Sequence, residues 1–191
     1  MTTIAYKNGI LAADSRSTTD SEAGGSRVFL CEKIFRKSVP VDGKLTEVLL
    51  ATAGESSAGM VFVDWFGSGK ESPAELFLTG DADFTVLVLQ PDGLYEYDAY
   101  CRGTKILDPF YAIGSGAKAA MGAMHAGASA KRAVEIACKI DPFSAPPIVT
   151  EKLNVRPKAK TRKPHVPEVR AEADAPQRPH ASGEDPPDLQ R

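Results

Sequence analysis

The chain has 191 residues, of which 42% are hydrophobic, and its formal net charge is −2. This length favours one folded domain, and the apolar fraction is high enough to build a hydrophobic core. A charge near zero excludes the strongly basic character on which non-specific binding to nucleic acid or to an anionic membrane depends. The three cysteines, Cys31, Cys101 and Cys138, are widely spaced and form no Cys-x-x-Cys pair. They therefore indicate neither a disulfide framework nor a zinc site, and we expect no metal and no cofactor.

The beginning of the sequence has no basic segment followed by an apolar stretch, and no apolar run is long enough to span a bilayer. Together with unpaired cysteines, this predicts a cytoplasmic protein. The residues from 155 onward differ in composition, because they hold seven of the fourteen prolines and no Phe, Trp or Tyr. Such a segment buries too little apolar surface to offset its ordering entropy. We therefore predict a folded domain over residues 1–154 and a disordered tail, rich in proline and charge, over residues 155–191.

Apolar patterning and turn residues predict the elements of the folded part in chain order. An Asn8-Gly9 turn joins a strand that ends at Ala5 to a second strand over 10–14, because Asn-Gly between apolar runs is a strong hairpin signal. Further strands are predicted over 14–19, 28–30, 33–37, 48–53, 83–90, 94–100, 110–113 and 146–153, and helices over 56–66, 116–126 and 129–140. Strands, a helix, more strands and then paired helices indicate two packed sheets with helices outside.

Thr2 is the first candidate for chemistry. Removal of Met1 would leave Thr2 with a hydroxyl nucleophile and a free α-amine, whose unperturbed pKa is about 7.7–8.0. One residue could then supply both the nucleophile and the base. Mechanisms that need a histidine have little to use, because His125 is the single histidine before the tail and lies on an Ala-rich helix.

A second motif predicts a different function. Gly114-Ser115-Gly116-Ala117-Lys118-Ala119 matches the dinucleotide-binding pattern G-x-G-x-x-A, and Glu135 follows about twenty residues later. That pattern requires a second strand after the helix, with the acidic residue at its end. Here a second helix follows and contains Glu135, so the context does not support a dinucleotide site.

Five segments, taken in order, resemble the superfamily of proteasome β-subunits and HslV-like Ntn-hydrolases, with HslV-type peptidases the nearest. They are Thr2-Thr3-Ile4, Asn8 to Asp14, Lys33-Ile34, Ala53-Gly54, and Ala112 to Gly116 followed by Asp141 to Ser144. The resemblance covers roughly residues 2–150. It implies an α+β fold, a four-layer αββα sandwich of two antiparallel sheets with flanking helices.

The resemblance also implies a threonine-type endopeptidase and assigns roles to seven residues. Thr2 is the nucleophile, Lys33 the cation beside it, and Asp14 the partner of Lys33. Gly54 supplies the N–H that faces the developing oxyanion, and a hydrogen-bonded set orients the amine. That set consists of Ser115, Asp141 and Ser144.

Each of these residues also has an ordinary structural explanation. Thr2 can be only a strand residue, and Asp14 can be a strand-end turn residue that caps local N–H groups. Lys33 can be solvated, and Gly54 can simply end a strand. The hydrogen-bonded set has ordinary explanations as well. Ser115 can be a helix N-cap, Asp141 can end a helix and Ser144 can be a loop residue.

As partners, the resemblance implies polypeptide substrates, a homo-oligomeric ring and an AAA+ unfoldase, without nucleic acid or membrane. Two alternatives to a peptidase remain open. One is a catalytically inactive scaffold or assembly protein with the same fold. The other is an Ntn hydrolase acting on small amides, which activity on free amides would distinguish.

Overall fold

The structure is a computed structural model, and it describes residues 1–21, 25–41, 43–69 and 83–153. Within these ranges the chain forms eleven strands and three helices. The strands are β1 (Thr3–Lys7), β2 (Ile10–Asp14), β3 (Arg16–Ser21), β4 (Gly25–Leu30), β5 (Ile34–Val41), β6 (Lys44–Gly54), β7 (Phe84–Gln90), β8 (Gly93–Tyr97), β9 (Thr104–Ile106), β10 (Phe110–Gly114) and β11 (Ile148–Lys152). The helices are α1 (Ser56–Ser68), α2 (Ala117–His125) and α3 (Ala130–Ile140).

The strands form three antiparallel sheets. The first has the order β10-β1-β2-β11, and the largest has the order β5-β6-β7-β8-β9. Strands β3 and β4 pair only with each other and form a separate two-stranded hairpin. The mixed α and β character expected from the sequence is therefore confirmed.

The predicted hairpin at the start of the chain is present. Asn8 and Gly9 have φ angles of 53° and 77°, the left-handed conformation that a two-residue turn between right-twisted strands requires. This turn sets the register in which Ile4 pairs with Ala13. Successive residues of β1 then face opposite ways, as in any strand.

Apolar side chains form three buried clusters, and each joins different elements. The first joins β1 and β2 to the largest sheet, with Ile4 and Leu11 against Leu49 and Leu87. The second packs α1 against the other face of that sheet around Phe62. The third packs α2 and α3 against the four-stranded sheet and consists mostly of alanines. Alanine on both sides lets the helices approach the sheet closely.

Several boundaries differ from the sequence prediction, and one strand was not predicted. Strand β5 extends to Val41 and β6 begins at Lys44, beyond the predicted ranges 33–37 and 48–53. Strand β8 ends at Tyr97 and not at Tyr100, because Asp98 turns the chain and its Oδ1 accepts a hydrogen bond from the Tyr100 N–H at 2.9 Å. The short edge strand β9 was not predicted, since its three residues lack an apolar alternation and it is defined by pairing with β8.

The predicted disordered tail over residues 155–191 lies outside the described residues. No helix in the described ranges combines the length and apolar character that a membrane span needs.

Candidate active site

The site begins at the N-terminal end of β1, where alternation sends neighbouring side chains to opposite faces. Ile4 lies in the cluster between the two larger sheets, whereas Ala5 lies in the cluster beneath α2 and α3. By the same alternation, Thr2 shares the face of Ile4 and Thr3 shares the face of Ala5. Thr2 is 5% exposed and lines a cleft, and Thr3 is 0% exposed.

Asp14 and Lys33 form a buried ion pair beside Thr2. Lys33 Nζ lies 2.8 Å from Asp14 Oδ1, and the two side chains are 5% and 0% exposed. Lys33 Nζ also donates to the carbonyl oxygen of Arg16 at 2.5 Å. The Asp14 carboxylate accepts three backbone N–H bonds as well, from Thr3 at 2.8 Å and from Arg16 and Ala145 at 3.1 Å. Both charges therefore have the partners that burial in a protein interior demands.

Asp141 is the centre of a second polar cluster, at the end of α3. Its Oδ2 accepts hydrogen bonds from Ser115 Oγ at 2.7 Å and Ser144 Oγ at 2.6 Å, and its Oδ1 accepts the Phe143 N–H at 3.2 Å. Ser115 Oγ also lies 3.3 Å from the carbonyl oxygen of Thr2. The cluster thus touches the backbone of the candidate nucleophile.

The electrostatics of this cluster favour an ionised Asp141. Burial acts to raise the pKa of the Asp141 carboxyl, but the hydrogen bonds from Ser144 and Ser115 outweigh it, and the pKa lies below its ordinary value. The ammonium group of Met1 acts in the same direction. A carboxylate here can accept hydrogen bonds from an amine at the start of the chain and so orient it.

Gly54 ends β6 with φ of 94°. A Cβ at this position would overlap the carbonyl oxygen of Asp83 and lie 2.8 Å from the Phe84 Cα. The approach of Asp83 and Phe84 therefore already requires a residue without a side chain here.

Thr2, Lys33 and Gly54 all line one open cleft of about 210 Å³. The remaining lining residues are Met1, Ser17, Phe29, Cys31, Glu32, Phe35, Thr52, Ser56 and Met60. We call Phe29, Phe35 and Met60 the apolar wall of the cleft. The cleft therefore presents a hydroxyl, a cation and an apolar surface to whatever enters it.

All seven predicted site residues are thus placed in or around the N-terminal end of β1. Thr2, Lys33 and Gly54 face the cleft, and Asp14 lies behind Lys33. The other three form the cluster on the opposite side of β1, namely Ser115, Asp141 and Ser144. The residues come from sequence positions more than 140 apart, so only the fold brings them together.

The ordinary explanations hold for some of these residues and not for others. Lys33 is not solvated, and the N-cap of α2 is Gly116, so Ser115 does not cap that helix. Asp141 does end α3, and Asp14 does accept the local Arg16 N–H, in addition to their contacts in the site. Among the described residues, no group of three or more His, Cys, Asp or Glu side chains is placed to hold a metal ion.

The geometry supports neither a dinucleotide site at Gly114 to Gly116 nor a mechanism that uses His125. The segment Gly114 to Gly116 leads from an antiparallel edge strand into α2, and α3 follows with no strand between them. His125 packs edge-on against the Phe110 ring, with centroids 4.8 Å apart, and takes no part in the cluster around Asp141.

The sequence prediction missed three residues of the site. Thr3 Oγ1 lies 2.6 Å from Ser144 Oγ, and Arg16 contributes both its N–H and its carbonyl oxygen. Gly116 makes room for Thr3, because a Cβ there would overlap Thr3 Oγ1. The alternation of β1 was the available signal for Thr3, since it places a hydroxyl where Ala5 has a methyl group.

No protein-family model and no curated protein sequence matches the chain. Solved structures are similar to it in fold. BPH from Thiobacillus denitrificans, in complex with epoxomicin, is 21% identical at a TM-score of 0.53, and the match covers 82% of this chain and 99% of BPH.

Two further structures have the same TM-score of 0.53. HslV from Trypanosoma brucei is 16% identical, with 78% of this chain and 97% of HslV covered. A mutant of Anbu from Hyphomicrobium sp. strain MC1 is 15% identical, with 78% of this chain and 80% of Anbu covered. All three proteins are proteasome-like Ntn-hydrolases. At these identities the likeness is one of fold, and the chain has the fold of the proteasome-like Ntn-hydrolases.

Proposed function

We propose that this chain is a threonine peptidase whose nucleophile is Thr2 after cleavage of the Met1–Thr2 bond. The observation that carries the proposal is the position of the buried Lys33–Asp14 pair, of which Lys33 lines the same cleft as Thr2 and Gly54. A buried cation beside a hydroxyl is costly to maintain for structure alone. It has a direct use where negative charge develops on that hydroxyl oxygen during reaction.

The proposed reaction has two stages. Thr2 Oγ attacks a peptide carbonyl carbon, and the Thr2 α-amine takes the hydroxyl proton, directly or through a water molecule. The amine then returns that proton to the leaving nitrogen, the peptide bond breaks, and an acyl ester remains on Thr2. A water molecule, deprotonated by the same amine, hydrolyses the ester and frees the hydroxyl.

The surrounding residues have separate roles in this scheme. The ammonium of Lys33, held by Asp14, stabilises the Thr2 oxygen as it loses its proton and favours the neutral form of the amine. The N–H of Gly54 donates to the oxyanion of the tetrahedral intermediate. The Ser115 hydroxyl, which lies 3.3 Å from the Thr2 carbonyl oxygen, and the Asp141 carboxylate bonded to it hold the amine in position.

The proposal extends to the arrangement of layers and to assembly. The three apolar clusters fit a four-layer αββα sandwich, with the two larger sheets in the middle. Val28 and Leu30 lie two residues apart on the same face of β4 and are 60% and 63% exposed. Exposed apolar side chains side by side favour burial against another subunit, so we propose a homo-oligomeric ring.

We further propose, from the family resemblance, that an AAA+ unfoldase supplies unfolded polypeptide to this ring. Light scattering of the pure chain tests the oligomer. Degradation assays test the unfoldase. A permanently unfolded protein should be degraded without ATP, and a folded one only with an ATPase present.

Intact-mass measurement with a peptide epoxyketone tests the nucleophile. The probe carries a ketone and an epoxide, so a residue with both a hydroxyl and a free amine can close a ring on it; epoxomicin, present in the Thiobacillus BPH structure, is the form to use. We expect loss of the Met1 mass and one adduct that maps to Thr2.

The matched variants are Thr2→Ala and Thr150→Ala, because Thr150 is an exposed threonine on β11. Thr2→Ala should give no adduct and no peptide turnover while assembling normally, and Thr150→Ala should behave as the wild type. A wild type that loses Met1, assembles and gives no adduct would instead support the scaffold function. An adduct with turnover of free amides only would support the small-amide hydrolase.

A further inference from the structure

Thr3 has no role in the reaction scheme above, yet it lies between the two polar clusters of the site. Its side chain is fully buried, and it sits on the face of β1 opposite to the cleft. Its N–H donates to Asp14 Oδ1 at 2.8 Å, and its Oγ1 is 2.6 Å from Ser144 Oγ. Thr3 therefore contacts both the Lys33–Asp14 pair and the cluster around Asp141.

Proton counting fixes the direction of the hydrogen bond between Thr3 and Ser144. A serine hydroxyl carries one proton, and Ser144 Oγ lies 2.6 Å from Oδ2 of Asp141, a carboxylate that can only accept. Ser144 must then accept at its other contact, so Thr3 is the donor. The protons point in one direction, from Thr3 to Ser144 and from Ser144 to Asp141.

The backbone around Thr3 leaves space for its hydroxyl. Gly116, the N-cap of α2, lies so close that an added Cβ would overlap Thr3 Oγ1 and stand 3.2 Å from Asp141 Oδ2. The φ of Gly116 is −87°, which any residue can adopt, so conformation alone does not require glycine here. Glycine is required here because position 116 lies so close to Thr3 and Asp141.

We propose that Thr3 is a positioning residue for peptide hydrolysis, whose hydroxyl fixes Ser144 and, through Ser144, the carboxylate of Asp141. The inference rests on the proposed function, in which Asp141 holds the Thr2 amine. Without a donor at Thr3, Ser144 Oγ can rotate away from Asp141, and the amine loses its fixed orientation. Substrate binding is unaffected, because the Thr3 side chain faces away from the cleft.

The test compares Thr3→Val, which keeps the shape and removes the hydroxyl, with Thr3→Ser, which keeps the hydroxyl. For Thr3→Val we expect kcat for a fluorogenic peptide to fall about tenfold, the effect of losing one hydrogen bond to a charged network, with KM within about twofold. Thr3→Ser should restore kcat to within about threefold of the wild type. Thr150→Val, the same substitution on the exposed side of β11, serves as the control and should change neither constant.

Gly116→Ala tests the same contact from the other side. The added methyl group displaces Thr3 Oγ1, so kcat should fall, whereas Gly122→Ala on α2 should have no effect because nothing lies within 4 Å of a Cβ there. In a Thr3→Ala background the hydroxyl is gone, and adding Gly116→Ala should cost much less. This pair of variants decides the matter if Thr3→Val does not fold.

Wild-type turnover and the epoxyketone adduct on Thr2 are measured first. If the wild type shows neither, the proposed function fails and this inference fails with it. If the wild type is active and Thr3→Val or Gly116→Ala keeps the wild-type kcat, only the role of Thr3 is overturned. A loss of kcat in Thr3→Val that Thr3→Ser does not restore would also overturn it, since the methyl groups and not the hydroxyl would then matter.

Discussion

Replacement of Lys33 by methionine tests whether the ion pair behind the cleft is as buried as the structure shows. Lys33→Met keeps the length of the side chain and removes the ammonium that lies 2.8 Å from Asp14 Oδ1. The Asp14 side chain is 0% exposed, so water cannot take the place of the lost partner. The substitution therefore leaves a buried carboxylate without its counter-ion.

The size of the effect follows from the contacts that remain. Breaking a buried ion pair by removing one partner costs about 3–5 kcal/mol of stability. Asp14 keeps three backbone donors, the N–H groups of Thr3, Arg16 and Ala145, and these retain part of the stabilisation of the charge. We therefore expect the free energy of unfolding to fall by about 3 kcal/mol, the lower end of that range.

The assay is equilibrium unfolding in urea, followed by the fluorescence of the single tryptophan, Trp65, on α1. The matched control is Lys105→Met. Lys105 Nζ lies 2.9 Å from Asp92 Oδ2, but the two side chains are 41% and 52% exposed, so this variant should unfold close to the wild-type midpoint. If Lys33→Met unfolds within about 0.5 kcal/mol of the wild type, the pair is not buried and the reasoning about the site is wrong. Peptide turnover of Lys33→Met should also fall by about 100-fold or more, measured where the variant is still folded.

Three further outcomes are expected. Gly54→Ala should lower the thermal midpoint and abolish turnover, because a methyl group there overlaps the Asp83 carbonyl oxygen at a φ of 94°; a folded, active variant would contradict this. Fluorogenic peptides with a leucine or phenylalanine before the cleaved bond should be preferred over those with aspartate, since the cleft has an apolar wall, and Met60→Glu should reduce that preference. Burial raises the pKa of the Cys138 thiol to about 11, so its alkylation by iodoacetamide, followed by peptide mapping, should be slow at pH 8 and accelerate as the pH rises towards 11. Rapid alkylation of Cys138 at neutral pH would show that the thiol is more exposed than in this structure.

Much of the fold was predictable because its local signals agree with one another. The Asn8-Gly9 turn sets the register of the first hairpin, and the alternation around Val86 and Val88 marks a central strand. Strand β9 was not predictable, since its three residues have no pattern of their own and depend on a neighbour for pairing. Local sequence specifies elements that form by themselves, and not those that exist only as an edge.

The candidate site shows the same division. The resemblance picked out Asp14 and Lys33, which lie 19 residues apart, but nothing in the sequence showed that the Asp14 carboxylate would also accept the N–H of Ala145, 131 residues away. How closely β7 approaches Gly54 was also not apparent from the sequence. These features follow from tertiary packing, which a linear pattern does not contain.

The two threonines at the start of the chain are not interchangeable. An aminopeptidase that removed one residue too many would leave Thr3 as the new terminus, still a threonine with a free amine. Its hydroxyl would nevertheless point towards Ser144 and α2, and the cleft beside Lys33 would lose the hydroxyl of Thr2. Because neighbouring residues of a strand face opposite ways, a shortening by one residue reverses the side on which the terminal hydroxyl lies. Over-trimmed chains would therefore be inactive subunits that still fold, and the accuracy of N-terminal processing would set how many sites in a preparation can react.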